Sequence, residues 1–152
     1  MQIHEEEQLT IHLQQFIRCS TISNEDVEQF DWPEFTKLHG LFKEFYPTLY
    51  KEFSVTDVGR AGLLFHYASG HKEKTPLVLS AHQDVVEPGV LSLWHQEPFS
   101  GAYADGCVWG RGTTDCKHLF LAEMEAVETL FAQGFRPDYD LYIALGYSEE
   151  IY

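Results

Sequence analysis

A chain of 152 residues is long enough for one domain with a core of its own. Hydrophobic residues make up 44% and aromatics 14%, which excludes a disordered chain. The formal net charge of -14 argues against nucleic acid or an anionic membrane as a partner. No run of about 18 apolar residues occurs, so no transmembrane helix is expected. The segment from Met1 to Glu7 is acidic without an apolar centre and does not read as a signal peptide. Three cysteines, Cys19, Cys107 and Cys116, fit a reducing cytoplasm better than a disulfide scaffold. A cytoplasmic location is therefore expected.

Glu6 to Arg18 is predicted as a helix, with Leu9, Leu13, Phe16 and Ile17 on one face. Ser20 to Asn24 reads as a turn. Pro33 fits the first turn of a second helix, where its missing N–H costs nothing. Trp32, Phe35, Leu38, Phe42, Phe45 and Leu49 make the apolar stripe of that helix, and Pro47 predicts an end or kink near Tyr46. Phe53 to Val58 and Gly62 to Tyr67 read as two short strands. Leu77 to Ala81 is apolar on both faces, as a buried central strand would be. Ala104-Asp105-Gly106 reads as a hairpin turn. Lys117 to Gln133 is predicted as a helix with Phe120, Met124, Val127 and Phe131 inward and Gly134 just past its end. Asp140 to Tyr147 returns as another buried strand. Strand, long crossover and strand imply parallel pairing and an α/β class.

Each of the two apolar runs ends in side chains that bind metals, and open α/β sheets place their sites at such strand ends. His82-x-Asp84 pairs an imidazole with a carboxylate on the same face of an extended chain, where the carboxylate can hold the second ring nitrogen. The alternative is a polar pair where a strand leaves the core. Asp115 follows Gly110-Arg111-Gly112-Thr113-Thr114, whose glycines let the backbone approach something closely. It reads as a helix N-cap, as a metal ligand, or as both. Glu149 and Glu150 are adjacent carboxylates that repel unless a cation neutralises them. One can bind metal while the other takes a proton from water; the alternative is a solvated acidic loop. Histidine with carboxylates suits Zn2+, with Co2+ or Mn2+ as further candidates.

In order, His82-x-Asp84-Val85-Val86, Trp94, Pro98-Phe99-Ser100-Gly101, Asp105-Gly106-x-x-Trp109-Gly110-Arg111-Gly112-x-x-Asp115-x-Lys117 and Glu149-Glu150 resemble the M20 family of zinc metallopeptidases. The Trp-to-Gly101 run and the GRGTTD segment look closest to its carboxypeptidase S-like branch. The resemblance implies a three-layer α/β catalytic domain with a mixed sheet and flanking helices. It implies that His82 ligates one zinc, Asp84 orients His82, Asp115 bridges two zincs, Glu149 is the general base and Glu150 ligates the second zinc. The implied reaction is hydrolysis of an amide bond next to a free carboxylate, in a dipeptide or an N-acyl amino acid, and it can run in reverse at high product concentration. Three positions depart from the family's usual residues: Cys116, His118 and Ser148. Cys116 beside Asp115 makes oxidation sensitivity one expectation, and burial in helix packing the other.

The family also supplies one further carboxylate and one further histidine downstream, together with a lid or dimerisation domain. The resemblance therefore implies that residues 1–152 are the N-terminal part of a single catalytic domain, expected to bind zinc weakly and hydrolyse little alone. The full-length form is expected as a homodimer. Two other classes compete: a non-catalytic or split module completed by a partner chain, and a mononuclear zinc protein using His82, Asp115 and Glu150. Metal stoichiometry separates these two.

Overall fold

The computed structural model describes the backbone of residues 3–151 and the side chains of residues 6–151. The acidic segment read from Met1 to Glu7 lies in part outside the described residues. Helix α1 spans Ile3–Ile17, α2 Trp32–Phe45, α3 Pro47–Glu52 and α4 His118–Ala132. Strands are β1 Ser54–Val58, β2 Gly62–Tyr67, β3 Leu77–His82, β4 Ala102–Ala104, β5 Cys107–Trp109 and β6 Leu141–Gly146. No described helix is long and apolar enough to cross a membrane.

The main sheet runs β1-β2-β6-β3. β1 and β2 form an antiparallel hairpin, β2 pairs antiparallel with β6, and β3 pairs parallel with β6 from Leu77 opposite Leu141 to His82 opposite Gly146. The sheet is therefore mixed, with the expected parallel pair. Burying one stripe of each helix against one face of the sheet makes the core. Phe16, Leu38, Phe42, Leu49, Phe120, Met124 and Phe131 meet Leu63, Phe65, Leu141, Ile143 and Leu145 there.

The expected chain reading holds for most elements. Pro47 separates α2 from α3, whose first N–H groups, at Thr48 and Leu49, donate to the Glu128 carboxylate of α4 at 2.9 and 2.8 Å. That carboxylate supplies acceptors that a short helix lacks at its start. α4 ends as read, with Gly134 N–H donating to Phe131 and Phe135 N–H to Leu130, the paired pattern that closes a helix on a left-handed residue. Asp105 and Gly106 carry φ of 53° and 76°, the two left-handed positions of a tight hairpin between β4 and β5.

Two expectations change. Leu9 is exposed, and His12 takes the inward position on α1. The ring of His12 stacks on Phe45 at 3.8 Å, and its Nδ1 pairs with Glu125. A polar ring can face a core when a carboxylate waits for it. β3 is an edge strand, with Leu77 44% and Val78 55% exposed, not a buried central one. Its Leu79 and Ala81 pack on the core, whereas Val78 and Ser80 on the other face are exposed. An apolar run reports that both faces tolerate burial; it does not report what covers them.

Candidate metal centre

Parallel pairing of β3 with β6 brings two C-terminal strand ends to the same end of the sheet, one carrying His82 and the other leading to Glu149 and Glu150. His82 Nδ1 lies 3.0 Å from the Asp84 backbone carbonyl and 3.4 Å from Asp84 Oδ1. Both oxygens only accept, so Nδ1 carries the hydrogen and donates. Nε2 then faces Asp115 Oδ1 at 3.1 Å and Glu149 Oε2 at 3.8 Å. Burial by itself would lower the His82 pKa; the hydrogen bond to Asp115 and the charges of Asp84 and Glu149 outweigh it and raise the group above its usual value of 6.5.

Asp84 is fully buried, and its role is wider than the sequence implied. Its Oδ1 accepts the Glu149 N–H and its Oδ2 the Glu150 N–H, each at 3.2 Å. One carboxylate thus holds the imidazole and the first turn of the short Glu149–Ile151 helix. Glu150 enters the cluster through that backbone bond. Burial and then the negative charge of Asp115 push its own carboxyl above the usual carboxylate range.

Asp115 is not a helix cap. α4 begins at His118 after Lys117, with no side-chain cap bond, and Asp115 has extended backbone (φ -132°, ψ 100°) ahead of a cis Asp115–Cys116 peptide. Its side chain is left for the cleft. The two glycines of its loop make close approaches. A Cβ on Gly112, whose φ is +87°, would lie 2.6 Å from Val85 Cγ1, and one on Gly110 would strike Ile17. The loop can therefore lie flat on the segment that carries His82 and Asp84.

Three further residues take their roles at the centre only in three dimensions. The Cys116 thiol turns to β3, not into helix packing: Sγ accepts the His82 N–H and donates to the His82 carbonyl, each at 3.4 Å. Lys117 is fully buried, and its Nζ donates to the carbonyls of Phe16 and Cys19 at 2.9 and 2.5 Å. It ties the end of α1 to the Asp115 loop, and burial pushes its pKa down to about 8. Gln83 is buried between His82 and Asp84. The Asp115-x-Lys117 spacing hinted at the lysine; nothing in the sequence marked Gln83.

An open cleft of about 1030 Å³ is lined by His82, Asp115, Cys116 and Glu149 together with apolar Leu64 and Leu119. Donor atoms of His82, Asp115 and Cys116 lie within 4.8 Å of one another, and Glu149 and Glu150 stand outside that trio. Among the described residues, no Lys or Arg forms an ion pair with Asp84, Asp115, Glu149 or Glu150. Four carboxyl groups around one imidazole, whose Nε2 is turned to two of them, are a donor set that fits a divalent cation.

Residues 78–152 match peptidase family M20/M25/M40. Carboxypeptidase S of Saccharomyces cerevisiae is 37% identical over 139 residues, which cover 86% of this chain and 24% of that protein. N-fatty-acyl-amino acid synthase/hydrolase PM20D1 of Bos taurus is 35% identical over 72% of this chain and 22% of its own length. The chain thus spans about a quarter of the length of the curated relatives it matches. The crystal structure of human carnosine dipeptidase 1 shares the fold, with a TM-score of 0.76 at 20% identity, over 97% of this chain and 33% of that one. With the family match running across the stretch that holds His82, Asp84, Asp115, Glu149 and Glu150, the chain belongs to peptidase family M20/M25/M40.

Proposed function

We propose that this chain carries part of a dinuclear zinc site for hydrolysis of an amide bond next to a free carboxylate, in a dipeptide or an N-acyl amino acid. His82 Nε2 facing Asp115 and Glu149 while Nδ1 is tied to Asp84 is the observation that carries this reading. His82, Asp115 and Glu150 would hold the metal, Zn2+ by donor type, with Co2+ or Mn2+ also suited. Bound zinc supplies Lewis acidity. Asp84 fixes the tautomer of His82 and the backbone of Glu149. Glu149, whose side chain is 65% exposed at the cleft, takes the proton of the attacking water and returns it to the leaving nitrogen.

The substrate class is supported by the names of the relatives, a carboxypeptidase, an N-fatty-acyl-amino acid synthase/hydrolase and a dipeptidase. Residues 1–152 are read as the N-terminal part of the catalytic domain, with the remaining metal ligands supplied outside them and a homodimer as the full assembly. Three free cysteines accord with a reducing compartment such as the cytoplasm.

Zinc titration of the protein tests the reading. The wild type should bind, and His82→Ala and Asp115→Asn should each weaken binding by about 10-fold or more. Equal affinity in all three proteins overturns it. In the full-length protein, where the remaining ligands are present, Glu149→Gln should keep the metal and lose hydrolysis.

A further inference from the structure

The β3–β6 ladder ends where His82 meets Gly146. Past that rung the ladder pairs no further residues, and bonds made by residues 83 and 84 help set the distance between His82 and Glu149. The Asp84 carboxylate supplies some, and Gln83 supplies the others. The fully buried Gln83 donates through Nε2 to the carbonyls of Ala61 at 2.8 Å, Leu145 at 3.1 Å and Gly146 at 3.3 Å. Its Oε1 accepts from His39 Nε2 at 2.7 Å. Its backbone N–H donates to Gly146 at 2.9 Å, and its carbonyl accepts from Thr21 Oγ1 at 2.6 Å. One amide therefore joins the end of β3 to the end of β6, to the turn before β2 and to α2.

We infer that Gln83 is a positioning residue, whose amide sets the separation of the His82–Asp84 segment from the Glu149–Glu150 segment. It touches neither metal nor substrate, and it acts through the carbonyls of Leu145 and Gly146 and the orientation of its two neighbours. Two amide hydrogens serve three carbonyls, so the group is shared among them, and an apolar side chain of similar volume would leave buried acceptors unpaired. The inference rests on the metal-site reading only for its consequence in metal binding; the geometric part stands apart from it.

Gln83→Met keeps the volume and removes every side-chain hydrogen bond. Val127→Ala, in the buried stripe of α4 away from the cleft, serves as a control of comparable stability loss. Hydrogen exchange of the backbone amides is followed in metal-free protein. Gln83→Met should speed exchange at residues 146–150 by about tenfold relative to the amides of α4, whereas Val127→Ala should not single out that segment. Zinc affinity should fall by about tenfold in Gln83→Met and stay unchanged in Val127→Ala. Gln83→Glu, which keeps the acceptor for His39 but loses the donor, should resemble Gln83→Met. If residues 146–150 exchange alike in Gln83→Met and Val127→Ala, Gln83 is ordinary core and the inference fails. If the wild type binds no zinc, the metal-site reading fails, and the exchange comparison alone decides the role of Gln83.

Discussion

Each oxygen of the buried Asp84 carboxylate accepts one backbone N–H, from Glu149 and from Glu150, while Oδ1 also stands 3.4 Å from His82 Nδ1. An asparagine there would turn an NH2 toward a donor and remove the charge that favours the imidazole hydrogen on Nδ1. Asp84→Asn should therefore cost about 1–3 kcal/mol, seen as a lower melting temperature, and weaken zinc by about 10–100-fold. Unchanged zinc affinity would leave Asp84 a purely structural group. Cys116 illustrates the limit at this scale. Sequence favoured helix packing for a free cysteine, but its thiol bonds both backbone groups of His82 on the outer edge of β3, where a neighbouring strand would otherwise bond. Which way a small side chain turns depends on the backbone ahead of it, and no local pattern encodes that.

Among the elements, α2 meets the sheet through His39, whose Nε2 donates to Gln83 Oε1. Burial lowers the pKa of His39 below its usual 6.5 more than the Gln83 hydrogen bond raises it. The unfolded chain therefore takes a proton at this residue before the folded one does, and stability contributed by neutral His39 is lost as pH falls below 6.5. His82, whose pKa is raised, contributes with the opposite sign: its stabilisation is present below 6.5 and fades as pH climbs through its folded value. Comparing wild type with His39→Gln cancels the His82 contribution. Denaturant midpoints at about pH 5 and about pH 7.5 should show a larger acid loss in the wild type than in the variant. Equal losses would mean that His39 titrates as in the unfolded chain. Periodicity read the helices themselves well, because Phe120, Met124, Val127 and Phe131 repeat on one face. It misread Leu9 and β3, because it does not see the carboxylate of Glu125 or the uncovered side of the sheet.

For the molecule as a whole, the helices cover one face of the sheet, and β3 presents an exposed apolar edge at Leu77 and Val78. Such an edge pairs with other chains unless it is charged or covered. For residues 1–152 taken alone, concentration-dependent association is expected in sedimentation experiments, and Val78→Lys should reduce it while changing stability by no more than about 0.5 kcal/mol. Association that is the same in both proteins would place the contact elsewhere.

Legible in the residues alone were the α/β class, the order of helices and strands, the parallel return of β6 beside β3 and the family resemblance carried by His82, Asp84, Asp115, Glu149 and Glu150. These follow from local periodicity, turn chemistry and the placing of donors at strand ends. It took the folded chain to reveal that Asp84 serves both strand ends, that Asp115 is free of α4, and that Gln83, Cys116 and Lys117 hold the centre together. Those roles rest on bonds between residues 22 to 101 positions apart, where buried polar groups must find partners across the fold.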